Sequence, residues 1–305
     1  MRSIWQFARQ HIMLSCGILL LGLLIFIALF GEYLPIVNDR AEEDAFYLEN
    51  GVILSPPYAP SSEYLLGSDR DGRDMLSLII LGTKETLLLV LLITLIRYAV
   101  AIPLSFLAHN RIVGMDLAVK SLNAFFSYVP TIIMVIMLAI LPPLLFSEMR
   151  PFWLLFIIAM VEVGRVADTL KGDLDVLAPK EYMMSGVAVG ASPFRMFKSY
   201  YLPFVSEKII VYIVTDLGKV MFLLGQLGFL QIFITQEFIQ TDIGVFEIQN
   251  RSISWPMLLE NAFMDIRGPI WIVFWPAFAM TMTILTFNMI AQGLKQFFKR
   301  KGSLL

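Results

Sequence analysis

The amino-acid sequence predicts an all-α, polytopic membrane protein with six transmembrane helices and both termini in the cytoplasm. Three observations point there. Of the 305 residues, 58% are hydrophobic and only 16% charged, and the mean hydropathy is +0.74. A soluble domain carries roughly 25% charged residues, so this chain lacks the polar groups to cover a water-facing surface. The deficit lies in long apolar runs, each near the roughly 20 residues a helix needs to cross a hydrocarbon core. The basic residues, finally, gather on alternate loops.

The first run, Ile12–Phe30, is uncharged over 19 residues and follows Arg2 and Arg9. A cleavable signal core runs to about 7–15 residues and ends in a small-x-small site, which Ala28-Leu29-Phe30 does not supply. An uncleaved first span is expected. The second is Thr86–Ala108, interrupted by Arg97, and the third is Leu122–Phe146, with Pro130, Pro142 and Pro143. The fourth starts at Phe152 and runs through Glu162 and Arg165. The fifth is Ile209–Ile234, holding Asp216 and Lys219, and the sixth is Pro269–Leu294. Backbone groups in lipid must be satisfied within their own segment, so each should be α-helical.

With the termini inside, fourteen basic residues fall on inner segments and six on outer ones, the six being Arg40, Arg70, Arg73, Arg150, Arg251 and Arg267. The excess of Lys and Arg marks the cytoplasmic side. The organisation expected is a start and first span at 1–30, an extracytoplasmic loop at 31–83, a five-helix core at 84–298 with a cytoplasmic loop at 170–206, and a tail at 299–305.

Several chemistries are absent at the level of motif. There is no G-x-x-x-x-G-K-[ST] phosphate loop, no H-E-x-x-H and no G-x-S-x-G. The two histidines, His11 and His109, are too far apart in sequence for a metal cluster and read as interfacial side chains. The single cysteine, Cys16, lies in an apolar run, so no internal disulfide forms. No basic stripe points to nucleic acid. No catalytic or metal-binding residue is expected on this chain, and the energy for any work on a solute should come from elsewhere.

The segment Glu181–Pro203 carries the most specific signal. Gly190 is suited to end a short helix in the left-handed conformation, and Ser192 before Pro193 is suited to cap a second. The segment resembles the cytoplasmic signature loop of ABC importer permeases: Glu-Ala-Ala, a glycine turn, then Leu-Pro, here Gly190-Ala191-Ser192 and Leu202-Pro203. Leu66-Gly67-Ser68-Asp69-Arg70-Asp71-Gly72-Arg73-Asp74 resembles the box before the second span in the oligopeptide, dipeptide and nickel class. Trp255-Pro256-Met257-Leu258 and Thr286 to Leu294 parallel two later stretches of that class. The resemblance covers about residues 12–298 in order.

The resemblance implies the type I ABC importer permease fold and several partners. These are a second homologous permease, two ABC ATPases that bind ATP and Mg, and an extracytoplasmic substrate-binding protein, all assembled in the lipid of the cell membrane. It implies that Glu181, Tyr182, Ser185, Gly186, Gly190, Ala191, Ser192 and Pro193 form a coupling helix that docks on an ATPase. The solute would be an oligopeptide, dipeptide, nickel chelate or opine metallophore. The family's Glu-Ala-Ala falls on Met184-Ser185-Gly186, so the motif glutamate is missing here. An ion-gradient-driven secondary transporter and a degenerate, non-transporting scaffold are the alternatives.

Charges inside spans are costly and face a cavity or a partner. Asp216 and Lys219 are three residues apart and share a helix face, as do Glu162 and Arg165. Each pair either neutralises itself near an interface or lines the path or the contact with a second permease. Arg97 has no local partner in sequence and is expected to find one on another helix or chain. Arg97, Asp216 and Lys219 are the candidates for the path or interface.

Overall fold

The computed structural model describes residues 11–37, 47–49, 52–145, 147, 149–232, 234, 236–242, 245–250 and 252–302. Arg2, Arg9, Arg40 and Arg251, all counted in the charge asymmetry, lie outside these residues.

Four of the apolar runs become long helices. Helix α1, Ile12–Phe30, has the bounds expected of it. Helix α2, Met75–His109, begins a turn or more before the apolar run because Asp74 caps it, accepting from Ser77 N at 2.8 Å. After α3, Met115–Tyr128, and α4, Thr131–Ala139, come the short α5, Pro142–Leu145, then α6, Arg150–Val161, and α7, Val163–Leu177. Two short helices follow, α8 at Glu181–Ala188 and α9 at Pro193–Met196. A π-helical turn at Phe197–Tyr201 leads into α10, Leu202–Phe229. The short α11, Ala262–Asp265, precedes α12, Trp271–Gly302.

Four helical stretches are long and apolar enough to cross a membrane: Ile12–Tyr33, Met75–His109, Pro193–Phe229 and Trp271–Lys299. A fifth candidate is a broken one, Ile112–Tyr128 with Thr131–Ala139, bent by 93°. The uninterrupted third span expected over Leu122–Phe146 is therefore corrected. Proline disfavours the helical conformation in the residue before it, and Val129 is extended at φ −113°, ψ 131°. Helix α3 stops at Tyr128 and the chain restarts at Thr131 in a new direction. The fourth run is likewise divided, with Glu162 at φ −95°, ψ −5° between α6 and α7.

The structure is dominated by helix, as expected, and in the loops two short antiparallel strand pairs form. Strand β1, Tyr47–Glu49, pairs with β2, Val52–Leu54, and β3, Gln236–Asp242, pairs with β4, Val245–Asn250.

Two large apolar cores, beside a small one of Met75, Leu78 and Ile272, hold the helices together. The larger joins Val90 and Ile93 of α2, Val135 of α4, Ile158 of α6, Met221 and Leu224 of α10 and Phe287 of α12 around the buried Trp255. The other joins Tyr98 and Ala101 of α2, Val119 of α3 and Leu170 of α7 to Met183, Met196 and Tyr201. Helix α1 packs on α12 at small residues, as spans in lipid do: a Cβ on Gly293 would sit 2.7 Å from the Leu14 backbone. The 254–257 segment is wedged between α2 and α10. Trp255 donates from its backbone N to Thr86 Oγ1 and from Nε1 to Ile79 O, both at 2.9 Å.

Candidate functional site

Residues Glu181 to Pro193 form a compact knob between α7 and α10. Helix α8 ends in a Schellman arrangement: Gly190 N donates to Val187 O at 2.9 Å and Ala191 N to Gly186 O at 3.1 Å. These bonds satisfy carbonyls that a helix end leaves orphaned. They require a left-handed residue, and Gly190 supplies it at φ +75°. Ser192 then caps α9, its hydroxyl accepting from Arg195 N at 3.4 Å, with Pro193 in the first turn.

The knob has two faces. Met183 and Gly186 point inward, where a Cβ on Gly186 would lie 2.7 Å from Met196 Sδ. Glu181, in the first turn of α8, and Ser185 are exposed, and Tyr182 stacks on Phe204 with ring centroids 4.6 Å apart. Outward stand Met184, Val187 (66% exposed), Val189 and Phe194 (72% exposed). Contiguous exposed apolar groups of this kind occur at protein or membrane contacts.

Ionic contacts fasten the base of the knob to the long helices. His109, at the end of α2, meets Asp175 Oδ1 at 2.6 Å and the Tyr201 hydroxyl at 3.0 Å. Lys171 reaches Asp175 at 2.8 Å and Asp116 of α3 at 3.0 Å. Hydrogen bonds donated to Asp175 and then to Asp116 hold the Lys171 ammonium above its usual range. Burial pushes the Asp175 carboxyl up, but the hydrogen bonds of Lys171 and His109 outweigh it and leave the group below the carboxylate norm. Lys208 and Tyr212 of α10 both contact Asp173, at 2.5 and 3.0 Å.

A second site lies at the Pro130 break. Arg97 is 2% exposed and donates from Nη1 to Asp216 Oδ2 at 2.8 Å. It also donates from Nη2 to Ile158 O at 2.9 Å and from Nε to Ala159 O at 3.3 Å. Those carbonyls belong to the last turn of α6, which Glu162 leaves without helical partners. One guanidinium thus caps α6 and neutralises α10 from its seat on α2. The partner expected for Arg97 on another helix is Asp216. Lys219 also approaches Asp216, but at 3.6 Å to Oδ1 it is the more distant cation. Glu162 pairs with Arg165 and accepts a hydrogen bond from Thr131, across the break. Around these groups opens a cavity of about 270 Å³, also lined by Ile132, Val220, Phe222, Leu223 and Gln226.

On the other side of the molecule, the Leu66–Asp74 box folds into a charged turn ahead of α2. Asp69 accepts from Arg73 N at 2.8 Å, from Arg73 Nε at 2.7 Å and from Asp71 N at 3.0 Å. Burial lifts the Asp69 carboxyl above its usual range despite Arg73. Arg70 reaches Asp265 at 2.7 Å, and Trp271 donates to Ser68 O at 3.0 Å.

The structure brings Arg97, Asp216 and Lys219 together and holds the knob residues in one turn, far from them along the chain. Glu162, Arg165 and Thr131 join the first group, a convergence that sequence spacing alone does not give. Its one available signal was Pro130 in an otherwise apolar run.

No family model matches the chain. The glutathione transport system permease protein of Pectobacterium atrosepticum is 25% identical over 296 residues, covering 96% of this chain and 89% of the relative. The dipeptide transport system permease protein of Bacillus subtilis is 22% identical over 297 residues, 95% of this chain and 82% of the relative. The glutathione transport system permease protein of Salmonella typhimurium is 23% identical over 296 residues, 96% and 88% respectively. The chain is thus a multi-pass membrane protein, similar over nearly its whole length to permease proteins of glutathione and dipeptide transport systems.

Proposed function

We propose that this chain is one of two homologous permeases that together form the path of an ATP-driven importer for short peptides or a related small solute. Two separate ATPases supply the energy, and an extracytoplasmic binding protein delivers the solute. The near-full-length likeness to dipeptide and glutathione permeases carries this reading. Six spans with cytoplasmic termini belong to it, the bent α3–α4 pair and the α6–α7 pair completing the four long helices. The chain itself performs no chemistry. Coupling requires that ATP and solute favour different states of one bistable assembly.

The form of the knob supports the coupling role. It projects Val187, Val189 and Phe194 while its inner face is continuous with the core holding Tyr98 and Ala101 of α2. Without the motif glutamate, docking on an ATPase rests on apolar contact. Phe194→Asp combined with Val187→Asp should then weaken ATPase association by roughly thirtyfold, as loss of an interface anchor does. Tagged protein purified from its host in mild detergent should bring a second permease and ATPases, and the double variant should keep the permease and lose the ATPases. A wild-type chain that purifies alone speaks for a secondary transporter or a scaffold. ATPases retained by the variant reject the docking surface.

A further inference from the structure

The cavity at the Pro130 break carries an unbalanced charge. Of its lining residues Arg97, Arg165 and Lys219 are basic and Glu162 is acidic, while the acidic Asp216 lies behind the wall on Arg97. Arg97 is matched by Asp216 at 2.8 Å and Arg165 by Glu162. Lys219 is left with the far oxygen of an aspartate already engaged, at 3.6 Å, beyond hydrogen-bond reach. Its side chain is 58% exposed and lines the cavity. A surplus cation at membrane depth calls for a counter-charge. The rest of the lining is mostly apolar, with Ile132, Val220 and Leu223 beside the amide of Gln226. Such a mixture suits a small ligand with an apolar body and one polar head. Lysine adds a mobile point charge with three donors that can follow an anion from one position to the next.

We infer that Lys219 receives the carboxylate of the solute at this half of the path, its apolar portion lying on Ile132 and Leu223. The inference rests on the import reading above. It assigns a subsite within that reading: an organic carboxylate on an amphipathic solute, paired with Lys219 while Arg97 and Asp216 stay locked to each other.

The test uses the whole complex with its binding protein, reconstituted in liposomes of zwitterionic phosphatidylcholine, which offer no anionic headgroup. The probes are glycyl-leucine and glycyl-leucinamide, each measured on the same preparation so that the ratio of uptake rates is independent of yield. Wild-type complex should favour the free acid by roughly tenfold or more, the range of a hydrogen bond to a charged group. Lys219→Gln should bring the ratio close to that of the binding protein alone, and Lys219→Arg should preserve it. Lys219→Met replaces Lys219→Gln if the latter assembles poorly. An unchanged ratio in the neutral variant overturns the inference and leaves the import reading intact. Loss of the second permease on neutralising Lys219 also overturns it, since the counter-charge would then be an acid of that partner. A wild-type complex that moves neither probe overturns the peptide reading, and the subsite with it.

Discussion

Arg97→Met should destabilise the detergent-solubilised protein by about 3–5 kcal/mol, the cost of leaving a buried charge without its partner. The variant leaves Asp216, which is 4% exposed, with only the more distant Lys219 at 3.6 Å, and releases the Ile158 and Ala159 carbonyls at the end of α6. Asp216→Leu alone should cost a similar amount, because the guanidinium loses its counter-ion. The double variant separates the terms. Removing both charges should recover the ionic part, while the α6 carbonyls remain uncapped and retain a deficit of about 1–3 kcal/mol. Thermal unfolding of the four proteins closes the cycle. If the two losses simply add, the charges are not coupled and Arg97 does not tie α10 to α2.

Gly228→Ala should cost about 3 kcal/mol, at the upper end for overpacking, because a Cβ there would lie 2.0 Å from the Pro256 carbonyl oxygen. That neighbour is backbone and cannot rotate away, and it is held in place by the bonds of Trp255 to α2. Gly172→Ala is the control, since no atom lies within 4 Å of a Cβ at that position. In a helix it should be neutral or stabilise by about 0.5–1 kcal/mol. Equal melting temperatures for the two variants would remove the wedge from the account of the fold.

Different parts of this molecule were legible in the sequence for different reasons. Helix α1 was read to the residue, because an uncharged run bounded by polar groups is a one-dimensional property. The Gly190 turn was readable because a left-handed residue and a Ser-Pro cap are local chemistry. The bend at Pro130 was not read, although the residue was noted, since composition counts a broken span and a straight one alike. The strand pairs β1–β2 and β3–β4 lie in polar connections where strand pairing leaves only a weak local pattern. The Arg97–Asp216 pair spans 119 residues of sequence. Spacing shows that each needs a partner, but only packing decides that Arg97, rather than the nearer Lys219, is the one Asp216 takes.

The position of that pair along α10 sets a mechanical ratio. At about 1.5 Å per residue, Asp216 stands about 21 Å from Leu202, where the knob feeds in, and about 20 Å from Phe229 at the other end. A stiff rod pinned near its midpoint is a lever with nearly equal arms. Under the coupling role proposed for the knob, a sideways push there would return at the far end with about the same size and opposite sense, less whatever the packing of Val205, Ile209 and Gly228 resists. The stroke at one end of α10 would then be set by how far the other end yields.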